Sequence, residues 1–187
     1  MSGKLKIIAT FSVGYDHINT KSAKEKNVVI TNTPNVLNDA VAEITLLLML
    51  VTCRTAYEGI NLVKSGKWKD VKVDFVNFVM GQSLTDKTLG VIGMGRIGRI
   101  VAKRAKGFGM KIIYYNRNKL SDELEDGAKY YNTLNSMMPD CDFVSIHTPA
   151  TSETKNILNS EAINLLPKHA IVINTSRGST LDDEALI

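Results

Sequence analysis

The stretch Thr88-Leu89-Gly90-Val91-Ile92-Gly93-Met94-Gly95-Arg96-Ile97-Gly98 decides the fold. Its first five residues predict a strand, the next six place three glycines in a G-x-G-x-x-G turn, and Arg99 to Phe108 predicts a helix. Three glycines at that spacing occur in many turns, so the string alone says little. Between a strand and a helix each glycine acquires a purpose: a tight turn, close approach of backbone to a pyrophosphate, and close packing of helix on strand. The helix N-terminus adds free N–H groups and a partial positive charge. Gly93, Gly95 and Gly98 therefore point to a dinucleotide, against the alternative of a Rossmann-like protein that takes an adenosyl ligand.

Working outward, Lys111 to Tyr115 predicts the next strand, and a shorter βα unit follows through Tyr130 to Met138. Strand Phe143–His147, helix Ser160–Leu165 and strand Ala170–Asn174 complete the downstream half. Strands alternating with helices predict an α/β fold with a doubly wound parallel sheet. Upstream, Leu5 to Thr10 reads as a strand running into a turn at Val13-Gly14, Lys21 to Lys26 as a short helix, and Val28 to Ile30 as a second strand. One long helix is expected from an N-cap at Asn38 or Asp39 to near Gly66, followed by an irregular connection over Lys72–Ser83. Ile44 to Val51 is apolar around more of its circumference than one core contact requires, which predicts a subunit interface and a homodimer.

Composition narrows the function. Of 187 residues 44% are hydrophobic and 22% charged, enough for a packed core. The net charge is +4, but the basic residues are scattered and rarely flank aromatics, so small anions are expected rather than nucleic acid. Arg99, Lys103 and Lys106 recur at helical spacing and read as a solvated face. Cys53 and Cys141 belong to no metal or disulfide spacing. No metal site is expected. The most apolar run, Ile44 to Cys53, falls well short of the roughly 20 residues that cross a bilayer. The N-terminus carries no apolar signal core, and the expected location is cytoplasmic.

Where a ribose-binding acid is usual, roughly 20 residues beyond the glycines, stands Asn116 followed by Arg117. A neutral side chain spares a 2'-phosphate the repulsion of an Asp, and a guanidinium can pair with it bidentately. NADP(H) is thus favoured over NAD(H), the alternative being that Arg117 is a solvated turn residue.

Five ordered blocks, "TFSVGYDHIN", "NTPNVLNDAVAE", "KTLGVIGMGRIG", "HTPATSETKNIL" and "INTSRGSTLDDEALI", resemble the D-2-hydroxyacid dehydrogenases, most closely their glyoxylate and hydroxypyruvate reductase branch. The resemblance implies an enzyme that reduces a small 2-oxo acid to the 2-hydroxy acid by hydride transfer. It implies that the backbone of Val13-Gly14 holds the substrate carboxylate, although an ordinary strand-ending turn is the rival reading. Arg96 and Ile97 match backbone facing the pyrophosphate, with Arg96 alternatively a solvated helix-start residue. Thr148 and Pro149 match the segment beside the adenosine, and Thr175, Ser176 and Arg177 the strand end beside the nicotinamide. Arg177 matches the guanidinium that binds the carboxylate and polarises the 2-oxo group.

His147 ends a buried strand, and the matching family position is not the acid/base; it reads as a core residue, and His17 and His169 as surface. Asn38 departs from the family, whose members often place a cofactor-facing Thr there. Asp182-Asp183-Glu184 reads as an acidic helix start, not a metal site. The family's acid/base His and its Glu partner fall beyond "DDEALI", so this chain alone is expected to be inactive. The expected organisation is a remnant of a flavodoxin-like substrate domain over 1–36, then a Rossmann domain over 37–187, truncated at its C-terminal end. The rival function is a nucleotide-sensing binding protein, like the corepressors built on the same scaffold.

Overall fold

The computed structural model describes residues 4–70 and 81–187. The connection expected over Lys72–Ser83 therefore lies, as far as residue 80, outside the described residues. Near the N-terminus β1 (Ile7–Ala9) and β2 (Val29–Thr31) form a parallel pair bridged by α1 (Thr20–Glu25), whose N-cap Asn19 accepts a hydrogen bond from the Ser22 N–H. The chain then enters α2 (Asn38–Cys53) and α3 (Ala56–Lys64).

The second sheet contains β3 (Thr88–Ile92), β4 (Lys111–Tyr115), β5 (Lys129–Tyr131), β6 (Phe143–Ile146) and β7 (Ile171–Asn174). Its order is β5-β4-β3-β6-β7, all parallel. The chain thus winds outward from β3 in one direction and returns at β6 to wind in the other, so the two halves part between β3 and β6. Ligands of open parallel sheets bind at that switch, beyond the carboxyl ends of the strands. Among the described residues, helices α4 (Arg96–Lys106), α5 (Asp122–Glu125), α6 (Leu134–Met137) and α7 (Ser160–Asn164) lie between these strands, and α8 (Asp183–Leu186) follows β7.

Both faces of the sheet are covered. On one, Leu89, Val91 and Phe143 pack against Ala42, Leu46 and Met49 of α2 and Val101 and Ala105 of α4. On the other, Ile92, Val144 and Ile146 meet Met137, Leu158 and Ala162. Gly90 is small for a reason: an added Cβ would lie 2.4 Å from the Cys141 Sγ. That thiol is buried, and burial pushes it up to about 12, so it is an inert packing group.

Three boundary expectations need correction. The long helix is two helices, bent by 70° where Thr55 enters the left-handed region at φ 48°. Apolar spacing runs straight across that break, which is why periodicity does not show it. Helix α2 is preceded by Leu37 with no side-chain cap; Asp39 instead pairs with Arg104 at 2.6 Å. Helix α4 starts at Arg96, so Gly98 lies inside it rather than in the turn. The apolar surplus on α2 is real: Ile44, Leu47 and Leu48 are exposed. No single helix among the described residues is long and apolar enough to cross a membrane.

Candidate active site

The turn after β3 has the tight glycine geometry that lets an anion approach the backbone. Gly93 has φ 94°, and a Cβ there would meet the His147 carbonyl carbon at 2.9 Å, because the end of β6 presses on the turn. At Gly98 a Cβ would stand 2.3 Å from the Gly93 carbonyl oxygen, so α4 can approach only with a glycine. Gly95 differs, since a Cβ there would meet nothing within 4 Å. Its bare face opens on free space. No side chain caps α4, leaving its first N–H groups for an anion.

Beside this turn lies a cleft of about 590 Å³, lined by Gly93–Gly95, Tyr115–Leu120, His147–Pro149 and residues of the loop that follows. Asn116 turns its Oδ1 toward the Met94 N–H at 2.7 Å and so braces the glycine turn. Arg117, next to it, is exposed on the cleft wall. The Tyr114 hydroxyl fixes that loop by accepting from the Leu120 N–H at 3.0 Å and donating to Glu125 at 2.5 Å. Burial, then the Glu125 bond, pushes Tyr114 up to about 12, so it stays a donor. Across the cleft stands Glu153, held below the ordinary carboxylate value by Thr151, by local hydrogen bonds and by the charge of Arg117. Thr148 also lines the cleft, and its buried Oγ1 has no partner. An orphaned hydroxyl, a bare glycine face and an uncapped helix fit a dinucleotide laid over the switch point.

At the same edge of the sheet, the loop after β7 carries Arg177. The Asn174 amide donates to the Arg177 carbonyl at 3.0 Å, and its Oδ1 accepts from the Ser176 N–H and hydroxyl. The Arg177 Nε donates to Asp16 at 2.8 Å, its Nη1 to the Ser176 carbonyl at 2.9 Å, and its Nη2 lies against Gly14. A Gly14 Cβ would stand 1.9 Å from that Nη2. The Val13 carbonyl accepts from the Asn32 amide at 2.8 Å, which fixes the peptide so that the Gly14 N–H faces the other way. The Val13 and Gly14 N–H groups donate to no group among the described residues. The Nη2 edge of Arg177 thus lies against Gly14, in the loop whose Val13 and Gly14 N–H groups take no partner among the described residues, an arrangement that could hold a carboxylate.

Comparison with known proteins places the chain in a family. Residues 46–187 match the D-isomer specific 2-hydroxyacid dehydrogenase, NAD binding domain. The chain belongs to the D-isomer specific 2-hydroxyacid dehydrogenases. A glyoxylate reductase of Thermococcus litoralis is 43% identical over 98% of this chain and 56% of its own length. An NADPH-dependent glyoxylate/hydroxypyruvate reductase of Sinorhizobium meliloti, solved with NADP and malonate, superposes with TM-score 0.90 at 33% identity, over 98% of this chain and 56% of that one. A D-lactate dehydrogenase of Aquifex aeolicus, solved with NAD and lactic acid, gives 0.86 at 35%, over 97% and 53%. The chain spans about half the length of these relatives.

Within this dehydrogenase fold, the residues singled out from sequence divide into two groups. Gly93, Gly95, Asn116, Arg117, Thr148 and Pro149 line one cleft, while Val13, Gly14 and Arg177 converge at the other site. Gly98 lies beneath the turn and Ile97 packs on the core, so neither side of them faces the cleft. The Arg96 side chain lines a separate groove with Arg99 and Lys103, leaving only its backbone for a phosphate. Thr175 shares a 2.9 Å hydrogen bond with Thr45 of α2, and Ser176 is tied into its own loop, so their hydroxyls are already engaged. Asn38 lies at the start of α2 in the Arg96 groove. His147 meets Ser145 at 2.8 Å, and burial lowers it to about 4. It is a neutral wall residue, as the strand position implied. Sequence reasoning missed Asp16, Asn32 and Thr45, none of which carries a local signal.

Proposed function

We propose that the protein containing this chain is an NADPH-linked reductase of small 2-oxo acids, glyoxylate or hydroxypyruvate. The observation that carries the reading is the approach of Arg177 to Gly14, in a loop whose Val13 and Gly14 N–H groups have no partner among the described residues, at the sheet edge that also bears the glycine turn. Bound NADPH supplies the hydride. The chain's own residues bind and orient: the two N–H groups and the Arg177 Nη2 edge take the carboxylate, and the same guanidinium polarises the neighbouring 2-oxo oxygen. Arg117 on the cleft wall, with a neutral Asn116 beside it, supports the preference for NADP(H) over NAD(H).

Proton delivery is assigned to a His-Glu pair outside these residues. His147 is buried and neutral, His169 pairs with Asp142 just before β7 at the opposite edge of the sheet, and no hydrogen bond among the described residues aims His17. The chain alone is therefore proposed to have only traces of activity, since general acid catalysis typically contributes about 10² to 10⁴ in rate. The β1–β2 pair belongs to a substrate domain ending near residue 36, a division supported by its separation from the five-stranded sheet. The exposed Ile44, Leu47 and Leu48 support a homodimer, and two buried free cysteines suit the reducing cytoplasm.

Steady-state reduction of glyoxylate and hydroxypyruvate by the full-length protein, with NADPH and with NADH, tests the reading. Turnover with a higher kcat/KM for NADPH is expected. Nucleotide binding without turnover of any small 2-oxo acid would replace the enzyme by a nucleotide-sensing protein.

A further inference from the structure

The contact between Arg177 and Asp16 joins two loops 161 positions apart, one following β1 and the other following β7. It is half-exposed on both sides, with side chains 46% and 50% accessible, so it adds little to stability. Its geometry is more informative. A guanidinium offers five N–H donors in a rigid plane, and here the donors are shared unequally. The Nε is taken by Asp16 and one Nη1 bond by the Ser176 carbonyl, whereas Nη2 donates to no group among the described residues and faces Gly14.

Resting on the 2-oxo acid reading above, we propose that Asp16 is a positioning residue: by holding the Nε of Arg177 it presents the Nη2 edge to the substrate carboxylate beside the Val13 and Gly14 N–H groups. The Ser176 bond alone cannot do this. It joins the guanidinium to the neighbouring residue and moves with the same loop, whereas Asp16 anchors it to the loop that carries the backbone donors. Asp16 therefore sets the distance between the two halves of the carboxylate site. Its carboxyl is held below the ordinary value, mainly by the hydrogen bond from Arg177 and further by that charge, so it is ionised throughout the neutral range. The opposite arrangement is a gate, in which Asp16 competes with substrate for the guanidinium. Placement on Nε rather than across the free Nη2 edge favours positioning over competition.

The test uses the full-length protein and the variants Asp16→Ala, Asp16→Asn and Asp16→Ser. Asparagine can still accept from Nε through its Oδ1 without a charge; alanine cannot accept, and serine is too short to reach. Readouts are KM and kcat for glyoxylate, the Kd for NADPH, the melting temperature, and binding of oxalate, a carboxylate that cannot be reduced. Positioning predicts that Asp16→Ala and Asp16→Ser raise the glyoxylate KM and the oxalate Kd about tenfold or more, since misplacement by about 1 Å can cost up to 10²-fold. NADPH affinity should stay within about twofold and Asp16→Asn within about threefold of wild type. Unchanged oxalate and glyoxylate affinity in Asp16→Ala overturns the assignment, tighter binding establishes a gate instead, and equal damage in Asp16→Asn shows that charge rather than orientation is at work. A wild-type protein that binds neither glyoxylate nor oxalate removes the 2-oxo acid reading, and Asp16's role with it.

Discussion

Replacing Gly14 by alanine should separate the proposed substrate site from the fold. The added Cβ would sit 1.9 Å from the Arg177 Nη2, 3.1 Å from the Asp16 Oδ2 and 3.2 Å from the Arg177 Cζ. Ordinary contact begins near 3.4 Å, so the guanidinium must retreat by about 1.5 Å. Gly14 is not in the left-handed region, so alanine meets no backbone strain, and the atoms in its way belong to the end of a long side chain. The fold should accept this cheaply. At most the variant loses a half-exposed ion pair of about 0–1 kcal/mol, which moves the melting temperature of a chain this size by no more than about 4 °C. The reaction should not accept it, because displacement beyond 1 Å costs about 10²-fold, or about 2.7 kcal/mol of transition-state stabilisation. Measured on the full-length protein, kcat/KM for glyoxylate should fall about 10²-fold while NADPH affinity and melting temperature hold. A Gly14→Ala variant with wild-type kcat/KM would mean that the guanidinium seen here is not the substrate contact.

Gly95→Ala should leave the melting temperature of the nucleotide-free protein unchanged, because its Cβ meets nothing, yet weaken NADPH at least tenfold by filling the space over the turn; calorimetric titration decides it. Arg117→Ala should cost about 1.5–3 kcal/mol of the preference for NADPH while sparing kcat/KM with NADH, and Glu153→Gln, which removes the opposing charge from the far wall, should strengthen NADPH instead. Equal effects on both cofactors would mean that Arg117 does not read the 2'-phosphate. His147 ties stability to pH: its folded value of about 4 lies below the ordinary 6.5, so the unfolded chain binds the proton first. Stability is then full above about pH 6.5 and declines as pH falls toward 4, by about 2 kcal/mol at pH 5. Asp142 and Asp16, whose folded values are lowered, lose their contribution only at still lower pH, so urea midpoints at pH 7 and 5 isolate the histidine, and His147→Gln should flatten the slope.

The sheet was legible because its signal is local. Five residues of β3, a glycine turn and an amphipathic α4 follow one another without interruption, and each element's periodicity agrees with its place in the fold. The α2–α3 break was not legible, since one left-handed threonine bends the chain while the apolar pattern continues through it. The same holds for Gly98, which spacing assigns to a turn but which the start of α4 at Arg96 places inside a helix, where its lack of a side chain serves packing against the Gly93 carbonyl.

The site shows a finer division. Gly95 and Arg117, singled out by spacing, line the cleft, and Val13, singled out by the resemblance, keeps an N–H without a partner among the described residues. Side chains that hydrogen-bond do not announce their partners: Asn116 braces Met94, Thr175 meets Thr45, and Ser176 closes its own loop. Each was chosen from sequence for a ligand, and each is engaged inside the protein. That engagement has a consequence for how the site works. The glycine turn is held by Asn116, the end of β7 by Thr45 from a helix whose outer face is exposed, and the guanidinium by Asp16 from a separate sheet. Among the described residues, groups left without partners include the Thr148 hydroxyl, the first N–H groups of α4, the Val13 and Gly14 N–H groups and one edge of Arg177, besides the Gln82 Oε1 away from the site. Buried polar groups are normally paired, so the Thr148 hydroxyl marks a place that a ligand would fill, while the accessible donors of Val13, Gly14 and Arg177 are free to take an anion.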